Sequence, residues 1–187
     1  MKQSFSVLWL SGSLGLLCAQ GCEGAGEEPE LRPEVGLIDA EAWEVVEASE
    51  DPASDRPEEV VCPEEGWSLE TIGGEPSLEV DTSLCNYIAM VQPLLHDLVV
   101  GDRVTGRIWH QYLSATEEAE AHLAYFLAGE LVWEEWVPIP MDAGIVLPDF
   151  EIDVDAPAGT PLGLHLHNHG FNTWNVIDLN REAESNE

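Results

Sequence analysis

Two histidines one residue apart are the residues whose types and spacing offer the clearest chemistry in this sequence. The stretch 162–167 reads LGLHLH, so leucine alternates with other residues. In an extended strand alternate side chains point to opposite faces, so the leucines point into a core and His165 and His167 share the other face, about 7 Å apart. Two imidazoles at that spacing bind one zinc or copper ion when a neighbouring strand supplies a third ligand. The candidates for further ligands are His169, His110 and His122.

The same histidines have a second interpretation that needs no metal. Imidazole rings on a sheet face also form hydrogen bonds and stack on Trp and Asn neighbours, and in this way they fix loops. We favour this second interpretation. The sequence therefore predicts no cofactor, and zinc or copper on the His165 and His167 face is the alternative.

Two enzyme families place an HxH motif on a β-sheet, and this chain departs from both. Copper–zinc superoxide dismutases need further histidines downstream, and residues 170–187 contain none. Cupins need a Glu shortly after the motif and a second motif later, whereas this chain offers Phe171 or Asn172. The sequence also lacks a GxSxG motif. We therefore predict that the protein is not an enzyme and has no catalytic residues.

Tryptophans offer a different kind of site. Indole rings stack on sugar rings. Four tryptophans, Trp109, Trp133, Trp136 and Trp174, are a large number for a domain of this size. Trp133 and Trp136 lie three apart in one extended run, so they should face opposite ways, and at least one should leave the core. The alternative, which we favour for the group as a whole, is that most of these rings fill the core. The candidate ligand-binding residues are Trp133, Trp136, Trp174 and Asn172.

Strands must position these residues, because patterns of period two dominate residues 61–187. Strand-like runs lie at 103–113, 121–127, 131–137 and 174–179, and Gly, Pro and Asp separate them. Short strands at this spacing predict an all-β fold, an antiparallel β-sandwich.

The N-terminus resembles a bacterial secretory signal that ends in a lipobox. Lys2 is followed by an apolar run over 5–17, which is too short for the ~20 residues that span a bilayer. The small residues 19–21 then precede Cys22. The resemblance implies a signal peptide over 1–21 and a lipid on Cys22 that anchors the protein in the cell envelope, at the outer membrane or surface of a Gram-negative-type bacterium.

The charge of the chain limits its partners. The formal net charge is -31. Nucleic acid and anionic membrane surfaces repel a protein with this negative charge. We therefore predict no nucleic acid partner and membrane contact through the lipid alone. Residues 22–60 are rich in Glu, Asp, Pro and Gly, and we interpret them as a disordered acidic linker before the domain at 61–187.

Cysteine usage predicts one disulfide. Cys18 leaves with the signal peptide and Cys22 carries the lipid, so Cys62 and Cys85 remain as one pair. Oxidising compartments outside the cytoplasm favour their disulfide. Two metal-binding thiols are the alternative, which the absence of a short CxxC motif disfavours.

The order of motifs in 61–187 resembles the galactose-binding-like jelly roll of many carbohydrate-binding modules. The resemblance implies a domain that binds a glycan at a loop end or a concave face. An envelope protein is the alternative partner. The residues that carry it are the Trp strand at 66–68, SLEV at 77–80, the strand to Trp109 at 98–109, the hairpin at 121–136, the strand at 150–166 and Ile177-Asp178-Leu179.

Overall fold

Alternating apolar and polar residues form several strands of this protein, as the sequence predicts. The computed structural model describes residues 31–184, where twelve strands and three short 3-10 turns occur and no α-helix is present. The turns are Ala40–Ala42, Ala48–Glu50 and Glu64–Gly66. The strands are β1 (Val35–Gly36), β2 (Glu44–Val45), β3 (Trp67–Ile72), β4 (Glu75–Asp81), β5 (Tyr87–Pro93), β6 (Arg103–His110), β7 (Ala119–Leu127), β8 (Glu130–Ile139), β9 (Gly144–Val146), β10 (Asp149–Glu151), β11 (Pro161–Asn168) and β12 (Thr173–Arg181).

Two antiparallel sheets pack into a β-sandwich of the jelly-roll type, which confirms the predicted fold class. The larger sheet has seven strands in the order β10-β6-β12-β4-β3, with β1 also paired to β12 and β9 to β6. The other has five strands in the order β2-β5-β11-β7-β8. From β5 onward the chain crosses between the sheets several times, which places β11 at the centre of the five-stranded sheet between β5 and β7.

The core lies between the sheets and is built from one face of each. Leu162, Leu164 and Leu166 on β11 are each 2% exposed and join Val104 and Ile108 of β6 in one cluster. Burying a leucine side chain contributes about 1.5–3 kcal/mol, so this strand is held firmly. Its period-two pattern turns the intervening side chains to the opposite face of the five-stranded sheet, which we call the outer face.

The structure differs from the linker interpretation over residues 31–60. Leu37 is 0% exposed and Trp43 is 5% exposed, and both belong to the core cluster. Val35 and Gly36 extend the larger sheet beside β12, and Glu44 pairs with Val91 of β5 in the smaller one. The acidic composition of the stretch as a whole predicted disorder. Its few apolar residues are nevertheless spaced so that they pack into the sandwich.

The part of this stretch over residues 46–56, which we call the strap, continues from β2 across the outer face. The amide of Val46 donates to the carbonyl of Ala89 at 3.0 Å. Farther along, Ala53 packs against Ala124 and Phe126 in a small buried cluster. The strap therefore covers the face on which the histidines of β11 lie.

The predicted disulfide between Cys62 and Cys85 is confirmed. It ties the chain just before β3 to the turn before β5, across 23 positions of sequence. The alternative of two metal-binding thiols is thereby excluded.

The signal peptide, Cys22 and the part of the linker up to residue 30 lie outside the described residues. Across residues 31–184, no helix has the length and apolar character needed to cross a membrane.

Candidate functional site

Four of the six histidines come together on the outer face of the five-stranded sheet. His165 and His167 project from β11, and the strand register places His167 opposite His122 of β7. The rings of His122 and His165 are 4.8 Å apart, and those of His167 and His169 are 4.3 Å apart, measured between centroids. The shared face of His165 and His167 is as the sequence predicts.

Asp51 of the strap holds the most deeply buried of these rings. Its Oδ2 lies 2.6 Å from Nδ1 of His165, and the Tyr87 hydroxyl donates to the same oxygen at 2.5 Å. Its Oδ1 accepts a bond from the amide of Ala53 at 2.9 Å, which fixes the local turn. Since His165 is 0% exposed, this carboxylate satisfies a buried polar group that would otherwise be costly.

Asp55, four residues farther along the strap, meets three imidazoles with one carboxylate. Its Oδ2 lies 3.0 Å from Nδ1 of His122 and 3.1 Å from Nδ1 of His167. Its Oδ1 lies 3.3 Å from Nε2 of His165. The carboxylate is therefore the centre of the histidine cluster.

The electrostatics of the cluster keep both carboxylates ionised at neutral pH. Burial acts to raise the pKa of Asp51, but hydrogen bonds with His165 and Tyr87 outweigh it and hold that pKa below its ordinary value. Burial also acts to raise the pKa of Asp55. Interactions with His165, His167 and His122 outweigh burial and hold that pKa below its ordinary value. For His167, burial lowers the pKa, and the bond with Asp55 offsets this only in part.

One side of the cluster ends in an aromatic stack. The rings of His122 and Trp136 are parallel within 2° and their centroids are 4.1 Å apart. Nε2 of His122 also lies 3.1 Å from a carboxylate oxygen of Glu134. The stack and the contact with Glu134 fix the His122 ring, and Trp136 keeps 46% of its surface exposed.

A cavity of about 650 Å³ opens beside this stack. Its wall combines an aromatic ring with groups that donate or accept hydrogen bonds. Among its lining residues are Asp55, Trp136, His167, His169, Glu118 and Glu120.

Three candidate residues lie away from this site. His110 is buried on β6 in the other sheet, where its ring is 4.9 Å from that of Trp174. Trp174 is itself buried in the core and donates to Asn168. Asn172 is buried, and its Oδ1 accepts a bond from the amide of Ser114 at 2.8 Å. These positions exclude His110 as a ligand partner of the cluster and place Trp174 and Asn172 outside the cavity.

Trp133 and Trp136 face opposite ways, as their spacing predicts. The Trp133 ring lies 5.6 Å from that of Tyr125 and packs against the core. Trp136 points to the outer face, so it alone of this pair lies at the cavity.

Sequence reasoning missed the acidic members of the site. Asp51 and Asp55 stand in a stretch whose composition suggests disorder, and Tyr87 has no motif around it. The two histidines of β11 were the signal that could have found them. Buried imidazoles need hydrogen-bond partners, and the rest of the sheet does not offer enough of them.

No family model matches the sequence, and no curated protein matches it. Solved structures similar to the chain include TmCBM27, a carbohydrate-binding module described for specific mannan recognition, at 8% identity and a TM-score of 0.48, covering 82% of this chain and 98% of that one. A family 11 carbohydrate-binding module of the cellulase Lic26A-Cel5E of Clostridium thermocellum is 12% identical, with a TM-score of 0.43 and coverage of 82% and 96% respectively. The C-terminal CBM6 of LamC from Zobellia galactanivorans is 14% identical, with a TM-score of 0.38 and coverage of 62% and 86%.

Proposed function

We propose that the protein is a non-catalytic binding domain that holds a glycan in the cavity beside Trp136. The observation that carries this proposal is the indole of Trp136, half exposed at the cavity wall and fixed by its stack on His122. A ring that is already held in place loses little freedom when a ligand arrives, and a flat indole face packs well on the C–H groups of a sugar ring.

The other groups at the cavity suit sugar hydroxyls. Carboxylates of Glu118 and Glu120 accept hydrogen bonds, and the exposed imidazole of His169 can donate or accept them. The cavity volume lies within the roughly 300–1,000 Å³ of small-ligand pockets. Because the chain carries a net charge of -31, neutral glycans fit this site better than acidic ones.

Binding to a panel of soluble polysaccharides tests the proposal. The full chain and its Trp136→Ala variant are compared by affinity electrophoresis and calorimetry, with Tyr112→Ala as a matched loss of an exposed aromatic ring outside the cavity. Mannan and β-1,3-1,4-mixed-linked oligosaccharides, which are named for similar structures, are the first probes. We expect a neutral glycan to bind and Trp136→Ala to weaken binding by roughly two- to tenfold through lost stacking alone, since stacking contributes about 0.5–1.5 kcal/mol beyond area burial.

An equal loss in the Tyr112→Ala variant would contradict the cavity as the binding site. Absence of binding to every neutral glycan on the panel would contradict the ligand class.

We also propose that a lipid on Cys22 tethers this domain outside the cytoplasm of a Gram-negative-type cell. The small residues before Cys22 support this, and so does the disulfide at Cys62 and Cys85, because such bonds persist in oxidising compartments. Labelling cells with a fatty-acid analogue should mark the native chain and not the Cys22→Ser variant. Persistent labelling of that variant would contradict the anchor.

A further inference from the structure

We propose that Asp55, His122 and His165 bind one transition-metal ion, for which zinc is the best fit. The site joins the strap to two strands of the sheet, since Asp55 comes from the strap and the histidines come from β7 and β11. The three side chains lie on the outer face where the strap crosses it. Metal binding there does not depend on glycan binding at Trp136.

The distances among the three side chains suit such an ion. One donor atom from each lies within 4.8 Å of the others. Nδ1 of His122 is 3.0 Å from Oδ2 of Asp55, and Nε2 of His165 is 3.3 Å from Oδ1. Tetrahedral zinc with bonds of about 2.0–2.1 Å separates its donor atoms by about 3.3 Å. Both distances from the imidazole nitrogens to the carboxylate therefore lie close to this spacing.

The hydrogen bonds on the far side of each ring show which nitrogens are free to bind a metal. Nδ1 of His165 donates to Asp51 at 2.6 Å, which leaves the lone pair on Nε2. Nε2 of His122 in turn donates to Glu134 at 3.1 Å, which leaves the lone pair on Nδ1. When both rings are neutral their lone pairs face Asp55, and a cation between them takes the place of the proton that would otherwise join a ring to the carboxylate.

The facing atoms lack other partners within the described part of the chain. Nδ1 of His122, Nε2 of His165 and Oδ1 of Asp55 are buried and make no hydrogen bond of good geometry. Three such groups at one point are unusual, because buried polar atoms are nearly always paired. All three point into the same small space, which makes them a built site and not an ordinary acidic cluster.

The outer partners match those of metal-binding histidines. Such histidines usually donate their second nitrogen to a carboxylate, which orients the ring and increases its basicity. Asp51 does this for His165 and is itself held by the Tyr87 hydroxyl at 2.5 Å. Nδ1 of His167 lies 3.1 Å from Oδ2 of Asp55 and so helps to position its carboxylate.

The donor set selects the class of metal. Imidazoles favour zinc, copper and similar ions over calcium and magnesium, which prefer oxygen ligands. One carboxylate with two neutral imidazoles leaves a single positive charge on a divalent ion, which suits a protein with net charge -31. Asp55 also lines the cavity, so a fourth position is open to water on that side.

Metal titration of the full chain, prepared without a histidine tag and stripped with a chelator, tests the inference. Calorimetry with zinc chloride should show one ion per chain, and the melting temperature should rise because the ion binds the folded state. Asp55→Ala and His122→Ala should each weaken binding by more than about 100-fold, since even loss of an outer partner costs about 10–100-fold. His96→Ala, which removes an exposed histidine away from the cluster, should leave binding unchanged.

Cobalt(II) absorbance of the unsubstituted chain gives a second readout that does not depend on whether the variants fold. An intense visible band from tetrahedral cobalt that zinc displaces supports the site. Failure of the unsubstituted chain to bind zinc at micromolar concentration, a weak octahedral spectrum, or equal binding by folded Asp55→Ala protein would overturn it.

Discussion

The carboxylate of Asp51 lies 2.6 Å from Nδ1 of His165, although 114 positions of sequence separate the two residues. Both side chains are almost fully buried, at 2% and 0% exposed. This contact connects the strap to the central strand of the smaller sheet, and it makes an apparently disordered acidic stretch part of the site.

Replacing His165 with alanine should destabilise the metal-free protein by roughly 1–3 kcal/mol, because it removes one of the three hydrogen-bond partners of the buried Asp51 carboxylate. Chemical denaturation in the presence of a chelator measures the free energy of unfolding. The exposed His96→Ala change serves as the control and should cost little. A loss below 1 kcal/mol for His165→Ala would contradict the buried pair.

Removing a core residue from the stretch before β3 should also destabilise the whole domain. Leu37→Ala should cost about 2–5 kcal/mol in the free energy of unfolding, as for other buried leucines. Leu31→Ala is the matched control, since Leu31 is exposed. Equal stability of the two variants in urea would mean that residues 31–60 are a linker after all.

Loss of the disulfide should lower stability through the unfolded chain. The bond closes a loop of 23 positions, for which chain entropy contributes about 3 kcal/mol. The Cys62→Ser/Cys85→Ser double variant should therefore melt several degrees lower in calorimetry. A double variant that melts at the same temperature as the disulfide-bonded protein would refute this contribution.

The ion pair of Arg103 and Asp149 on β6 and β10 should give a measurable pH signature. A hydrogen bond from Arg103 is the main reason that the pKa of Asp149 lies below its ordinary value. A carboxyl with a lowered pKa stabilises the fold above its unfolded-state pKa, and the contribution disappears as pH falls through the folded-state value. Carboxyl NMR titration should show the lowered pKa, and Arg103→Gln should raise it; no change in that variant would contradict the pairing.

Much of the fold follows from local pattern. Leucines at every second position of β11 require a core on one side, so the sandwich and the shared face of His165 and His167 were predictable. The opposite orientations of Trp133 and Trp136 followed from the same period.

The acidic half of the site was not predictable in this way. Asp51 and Asp55 acquire their roles from contacts across more than a hundred positions, and charge composition favours disorder for the stretch that holds them. The sequence alone does not separate His110 from the clustered histidines. Only the strand order shows that it lies in the other sheet.

NMR titration of the isotope-labelled full chain shows whether the cavity beside Trp136 holds a glycan. With the neutral glycan of highest affinity from the panel, the indole N–H signal of Trp136 and the ring signals of His169 should shift in proportion to occupancy. Signals of Tyr112, outside the cavity, should stay in place. Shifts confined to the seven-stranded sheet, or none at saturating glycan, would show that this cavity does not bind the glycan.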